Sequence, residues 1–256
     1  MQWDKVLYPT NEQPLDRLID GYSHTAVFRR IAFIGDSLSS GEFETVDDNG
    51  AHGYHDLYEY SWGQYIARKH GLTAFNFSRG GMTAKEFVNS FAAECGFWDT
   101  DKACQAYVIA LGVNDLLNLR MPLGSVDDIG TDRETFARYY AEIVTRYKAI
   151  QPDAVFFFVT IPQSDDPVVQ EQATALATLL HGFAQRFERC FVIDLFRYAP
   201  VYDARFREQF YLHGHMSPSG YIFTAQIIDS YIDWLVRHHP DTFRTIGFVG
   251  SGIAYT

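Results

Sequence analysis

Four short stretches of the chain carry side chains that could act on a carbonyl. In "IAFIGDSLSSG", residues 31–41, three serines follow a run of β-type residues. Ser37 stands two residues beyond that run, so its hydroxyl is expected at the rim of a sheet, beside the unpaired N–H groups of a starting helical turn. An oxyanion is stabilised at such a place. In "NFSRGGMTAKE", residues 76–86, Thr83 and Glu86 have capping-box spacing, and Gly81 lies just ahead of that helix with its N–H free to meet a ligand. In "LGVNDLLN", residues 111–118, Asn114 can offer a side-chain amide. In "YLHGHMSPSGY", residues 211–221, His215 comes two residues before Ser217 and Pro218, which read as the N-cap and first position of a helix. Each stretch has a plainer reading by itself: turn serines, tight-turn glycines, a capping asparagine, a surface histidine. Together they supply a hydroxyl, a backbone donor, an amide donor and an imidazole, the set that acyl transfer requires.

These groups meet only if the elements between them bring them to one edge. Five runs rich in Val, Ile and Phe, at 31–35, 73–78, 106–112, 154–160 and 190–194, read as strands buried on both faces. Between them lie helical periods. Phe136, Tyr140, Ile143, Tyr147 and Ile150 recur at spacings of four and three, as do Val169, Ala173, Leu176, Leu180, Phe183 and Phe187, and a last helix runs from Ser217 to about Arg237. This alternation implies an α/β fold with a mostly parallel sheet covered on both sides, in which ligands gather at the carboxyl ends of the strands. With 256 residues and no repeat or linker, a single domain is expected, its core at about 29–238, an N-terminal strap at 1–28 and a C-terminal tail at 239–256.

At the four stretches the chain resembles the SGNH, or GDSL-type, hydrolases, whose serine, glycine, asparagine and histidine blocks match "GDSLSSG", "NFSRGGMT", "GVND" and "HMSPSGY" in order. The resemblance spans 31–237 and implies a three-layer α/β/α sandwich with a five-stranded, flavodoxin-like sheet. It implies Ser37 as nucleophile, His215 as general base, and the N–H groups of Ser37 and Gly81 with Asn114 Nδ2 as oxyanion hole. The absence of a GxSxG pattern around Ser37 argues against the common α/β-hydrolase. One position departs from the family: the aspartate usual three residues before the histidine is Leu212 here. The backbone carbonyl of Leu212 is therefore expected to orient His215, with Asp194, Asp203 or Glu208 as alternative acceptors.

Residues 41–61 form a long insertion after the nucleophile and, with Trp62, hold Phe43, Tyr54, Tyr58 and Tyr60, so aromatic rings over the site are expected to contact substrate, with Arg79 as a further substrate contact or as the partner of Asp36 or Asp115. "HGYHDLYEY" and the His213/His215 pair match no standard zinc spacing, and no metal or other cofactor is expected. The formal charge of −11 disfavours nucleic acid and anionic membranes as partners. Three scattered cysteines suit free thiols in a reducing compartment, and the N-terminus has no apolar leader, so a soluble cytoplasmic protein is expected. The leading expectation is a serine esterase removing small acyl groups such as acetyl from a carbohydrate or similar neutral compound. Two alternatives are a lysophospholipase or thioesterase with a longer acyl pocket, and a non-catalytic glycan-binding module.

Overall fold

A computed structural model describes residue 9 and residues 11–253. In chain order its main elements are β1 (Arg30–Gly35), α1 (Ser37–Ser40), β2 (Glu42–Val46), β3 (His52–Asp56), α2 (Trp62–His70), β4 (Thr73–Ser78) and α3 (84–94, with a π turn at Phe87–Phe91). There follow β5 (Ala106–Ala110), α4 (Phe136–Ile150), β6 (Val155–Val159), α5 (Pro167–Arg186), β7 (Cys190–Ile193), α6 (Leu195–Tyr198), α7 (Ala204–Phe210), β8 (Tyr211–Leu212), β9 (His215–Met216) and α8 (Pro218–His238).

Five strands pair in the order β4-β1-β5-β6-β7, all parallel. Successive side chains of a strand point to opposite faces, and here both faces are apolar. Ala32 and Ile34 enter one core with Tyr107, Phe156 and Phe158, while Ile31 and Phe33 enter the other with Val108 and Phe157. The first core is covered by α3, α4 and α5, through Phe87, Tyr140, Tyr147, Leu176 and Phe183. The second is covered by α2 and α8, through Trp62, Ile66, Tyr221, Ile228 and Ile232. Each of these large side chains contributes about 1.5–3 kcal/mol by leaving water. The result is the α/β/α sandwich that the strand and helix pattern implied.

Two outlying segments are tied to this frame. Ser23 donates to Asp229 Oδ1 at 2.7 Å and His24 N to Asp233 Oδ1 at 2.8 Å, fixing the stretch before β1 onto α8. Gln105 Nε2 donates to the carbonyls of Ile246 and Gly247, which pins the stretch after α8. The rest of the expected strap and tail, residues 1–8, 10 and 254–256, falls outside the described residues. The insertion expected as a loop is instead largely a β-hairpin. Glu42 pairs with Asp56 and Val46 with His52, and "DDNG" turns the chain: Asp47 Oδ1 accepts from the N–H groups of Asn49 and Ala51, and Gly50 takes a left-handed φ of 80°.

Candidate active site

Ser37 opens α1 immediately after β1, and Asp36 caps the turn by accepting from Leu38 N at 3.1 Å. Ser37 is half-buried at the carboxyl edge of the sheet. Gly81 lies in the loop after β4 with φ 72°, a left-handed conformation, and a Cβ added there would meet nothing within 4 Å. Asn114 follows β5 and donates from Nδ2 to Met82 O at 3.2 Å while its Oδ1 accepts from Asn118, which fixes the amide against the glycine loop. His215 begins β9, reached through the tight β8–β9 turn in which His213 takes a left-handed φ of 56°. Ser37, Asn114 and His215 line one cavity of about 520 Å³.

The imidazole is held between two carboxylates of one strand. Residues two apart on β2 share a face, so Glu42 and Glu44 both turn toward His215 while Phe43 turns away and packs edge-on against Tyr60 and Tyr221. Nδ1 donates to Glu44 Oε2 at 3.1 Å, and Nε2 lies 2.9 Å from Glu42 Oε1. Glu44 is 7% exposed and also accepts from His52 Nδ1 at 2.5 Å and Gly214 N at 2.6 Å. The hydrogen bond from His52, with those from His215 and Gly214, outweighs burial and draws the Glu44 carboxyl down to about 2. Glu42 is pushed above the usual carboxylate range, chiefly by burial, with Asp56 and Glu44 adding repulsion and His215 opposing. Its Oε2 lies where a side chain at residue 80 would begin, 2.1 Å from a Cβ added to Gly80. Burial likewise raises Asp36 to about 6 and Asp115 to about 7; Asp115 accepts from Ala84 N at 3.0 Å and so braces the start of α3.

The acceptor on Nδ1 is thus none of those expected. Leu212 pairs with His215 through the β8–β9 ladder, but the ring turns to Glu44. Asp194 is committed to His181 Nε2 at 2.8 Å and to capping Arg197 N; Asp203 caps Phe206 N, and Glu208 is exposed. The sign of the alternative is a hairpin turn, "DDNG", between two five-residue runs, which places Glu44 on the same face as Glu42. Among the expected substrate contacts, Tyr54 reaches the site, its ring 5.6 Å from that of His215 and edge-on to it. Tyr58 turns its hydroxyl into the protein, and Arg79 pairs with Glu86 and lies over the Phe91 ring rather than meeting Asp36 or Asp115. The histidine-rich stretch disperses: His52 bonds Glu44, His55 bonds Thr45 and Asp56 accepts from Ser40. Among the described residues no three His, Cys, Asp or Glu side chains gather as metal ligands.

A sequence profile of the GDSL-like lipase/acylhydrolase family matches residues 33–222. The chain belongs to that family. It is accordingly a hydrolase, and the fold recurs in solved relatives of low identity. A G-D-S-L family lipolytic protein from Desulfitobacterium hafniense is 17% identical over 79% of this chain and 99% of that one, with a TM-score of 0.55. A family two carbohydrate esterase from Clostridium thermocellum, solved with cellohexaose, is 14% identical over 84% of this chain and 65% of that one, with a TM-score of 0.59. The acetyl xylan esterase AlAXEase is 14% identical over 78% and 97%, with a TM-score of 0.52. No curated protein sequence matches this hydrolase. Among the described residues no helix is long and apolar enough to cross a membrane.

Proposed function

We propose that this GDSL hydrolase cleaves carboxylic esters through an acyl-enzyme on Ser37. The observation that carries the reading is the convergence of Ser37, Asn114 and His215 on one cavity, with the Gly81 loop tied to Asn114. Ser37 Oγ attacks the ester carbonyl while His215 Nε2 takes its proton and passes it to the leaving alcohol. The developing oxyanion is met by the N–H groups of Ser37 and Gly81 and by Asn114 Nδ2. Water then repeats the sequence and releases the acid. Glu44 fixes the ring through Nδ1 and stabilises the charge the imidazole acquires, the part usually taken by an aspartate three residues before the histidine. Glu42 Oε1 lies 2.9 Å from Nε2 and so competes with Ser37 for the atom that takes the proton in this reading.

For the alcohol part we propose a neutral, hydroxyl-bearing compound. Glu42, Glu44 and Asp36 surround the ring and disfavour an anionic group beside the ester, and two of the solved relatives are carbohydrate esterases. The test is stopped-flow hydrolysis of p-nitrophenyl butyrate by the wild type and by Ser37→Ala and His215→Ala. An acyl-enzyme that accumulates gives a burst of one p-nitrophenol per active site, and both variants lose it with their folds intact. Full turnover by Ser37→Ala would overturn the proposal.

A further inference from the structure

The Glu42 carboxylate lies between the imidazole of His215 and the glycine loop. Its Oε1 is 2.9 Å from Nε2, the atom that hands a proton to the leaving oxygen in the proposed reaction. On its other side, a Cβ added to Gly80 would come within 2.1 Å of Oε2 and 3.2 Å of Oε1, one residue before Gly81. An ester held between the imidazole and that loop therefore has Glu42 at its flank. The hydrogen bonding of this carboxylate is incomplete. Glu44, two residues further along β2, accepts from His52, His215 and Gly214. Among the described residues the Glu42 carboxylate meets one donor, His215 Nε2, although a carboxylate offers about four acceptor positions. Its side chain is 12% exposed, so bulk water makes up little of the deficit. Burial pushes its carboxyl above the usual carboxylate range, which the imidazole contact does not offset. During acyl transfer even that donor is withdrawn, because Nε2 faces first Ser37 Oγ and then the leaving oxygen. A buried acceptor left without a donor is costly.

We propose that Glu42 reads the alcohol part of the ester: it accepts a hydrogen bond from a hydroxyl on the carbon next to the one bearing the ester oxygen, so that the enzyme selects esters of polyols that keep a free hydroxyl beside the ester. The inference rests on the esterase reading, with Ser37 as nucleophile and His215 as base. The leaving oxygen must come within about 3 Å of Nε2. Glu42 Oε1 is itself 2.9 Å from that atom, so a hydroxyl one carbon away from the leaving oxygen reaches Oε1 with the ester in place. As the bond from Ser37 Oγ to the acyl carbon forms and the bond from that carbon to the alcohol oxygen breaks, the Ser37 proton passes through Nε2 to the alcohol oxygen. The neighbouring hydroxyl keeps its own proton and shares it with Glu42, replacing the donor that Nε2 withdraws. An ester without that hydroxyl leaves the carboxylate unpaired. A hydroxyl also gives up less hydration than an ammonium on entering a site this enclosed, which makes a neutral polyol the better match.

The experiment compares kcat/KM for 2-hydroxyethyl butyrate with that for 2-methoxyethyl butyrate, whose alcohol parts withdraw electrons alike and differ in the hydroxyl proton. Wild type should favour the hydroxyethyl ester by about ten- to two-hundredfold, as a hydrogen bond to a charged group provides. Glu42→Ala should bring this ratio to within about threefold of unity, and Glu42→Gln, which keeps a carbonyl acceptor, to an intermediate value. Gly80→Ala drives Oε2 from its place and should lower the ratio with Glu42 intact, which keeps the test available if Glu42→Ala does not fold. Because each variant is read as a ratio of two substrates, a general loss of activity does not move it. A wild-type ratio below about threefold, or a ratio unchanged in Glu42→Ala, overturns the inference and leaves the esterase reading standing. A preference for butyrylcholine over the hydroxyethyl ester overturns it too, since Glu42 would then read a cation. If the wild type turns over none of these esters, the esterase reading falls and this inference falls with it.

Discussion

Replacing Glu44 by glutamine keeps its shape and removes its charge. The glutamate makes three hydrogen bonds, to His215, His52 and Gly214 N, of which the one to Nδ1 is 3.1 Å long and joins side chains 15% and 7% exposed. A hydrogen bond to a charged partner in such a site is worth about 1.5–3 kcal/mol, or about ten- to two-hundredfold in rate when its full strength develops only as the ring gains charge. An amide can also turn its NH2 toward Nδ1 and favour the wrong tautomer, which in serine hydrolases costs about ten-thousandfold. Glu44→Gln should therefore lower kcat about a hundredfold to a thousandfold with KM changed little, since the interaction strengthens in the transition state. Steady-state kinetics on a p-nitrophenyl ester, beside Asp194→Ala as the control, reads this directly. If Glu44→Gln costs less than about threefold, or if Asp194→Ala costs as much as Glu44→Gln, the displaced carboxylate is not the partner of the base.

The same geometry makes further predictions. Glu42→Ala removes the competitor for Nε2 and should raise kcat/KM by about tenfold; a fall in both variants Glu42→Ala and Glu42→Gln would show that the carboxylate serves catalysis instead. Gly214→Ala puts a Cβ 2.7 Å from Glu44 Oε2, so it should displace that carboxylate and reproduce much of the Glu44→Gln defect while the thermal midpoint drops modestly. The Glu44 carboxyl is held at about 2 against an ordinary 4.5, so its ionisation stabilises the fold fully above about pH 4.5 and less as pH falls toward 2; urea unfolding should show Glu44→Gln flatter than wild type across that window. Asp115 is raised to about 7, so folding is opposed increasingly as pH climbs from about 4 through 7. Asp115→Asn, which keeps an acceptor for Ala84 N, should gain stability relative to wild type at pH 8 more than at pH 5.

The parts of this molecule legible in the sequence are those fixed by local periodicity. Runs such as "VFFFV" announce strands buried on both faces, and β6 occupies Val155–Val159 inside the stretch read as 154–160. Ser217 and Pro218 mark the start of α8 because a side-chain acceptor and a missing N–H are local requirements of a helix N-terminus. Contacts between residues distant in sequence were less accessible. The carboxylates nearest His215 in sequence lie on the β7–β9 segment, whereas Glu44 lies 171 positions away and arrives because the hairpin folds back over the edge of the sheet. Arg79 is similar on a smaller scale: its partner, Glu86, is one helical turn into α3, and a bond of that kind depends on where the helix points. The cavity beside Ser37 is set by the gap between layers, which periodicity does not encode.

An acyl group carried on Ser37, as proposed, leaves that serine open to trapping by a serine-directed reagent. The wild-type enzyme treated with an alkyl fluorophosphonate, digested and analysed by mass spectrometry should carry one adduct on the peptide containing Ser37, formed at a rate that falls at least about a hundredfold in His215→Ala. An adduct on Ser39 or Ser40, or hydrolysis that persists after Ser37 is fully modified, would show that Ser37 is not the nucleophile.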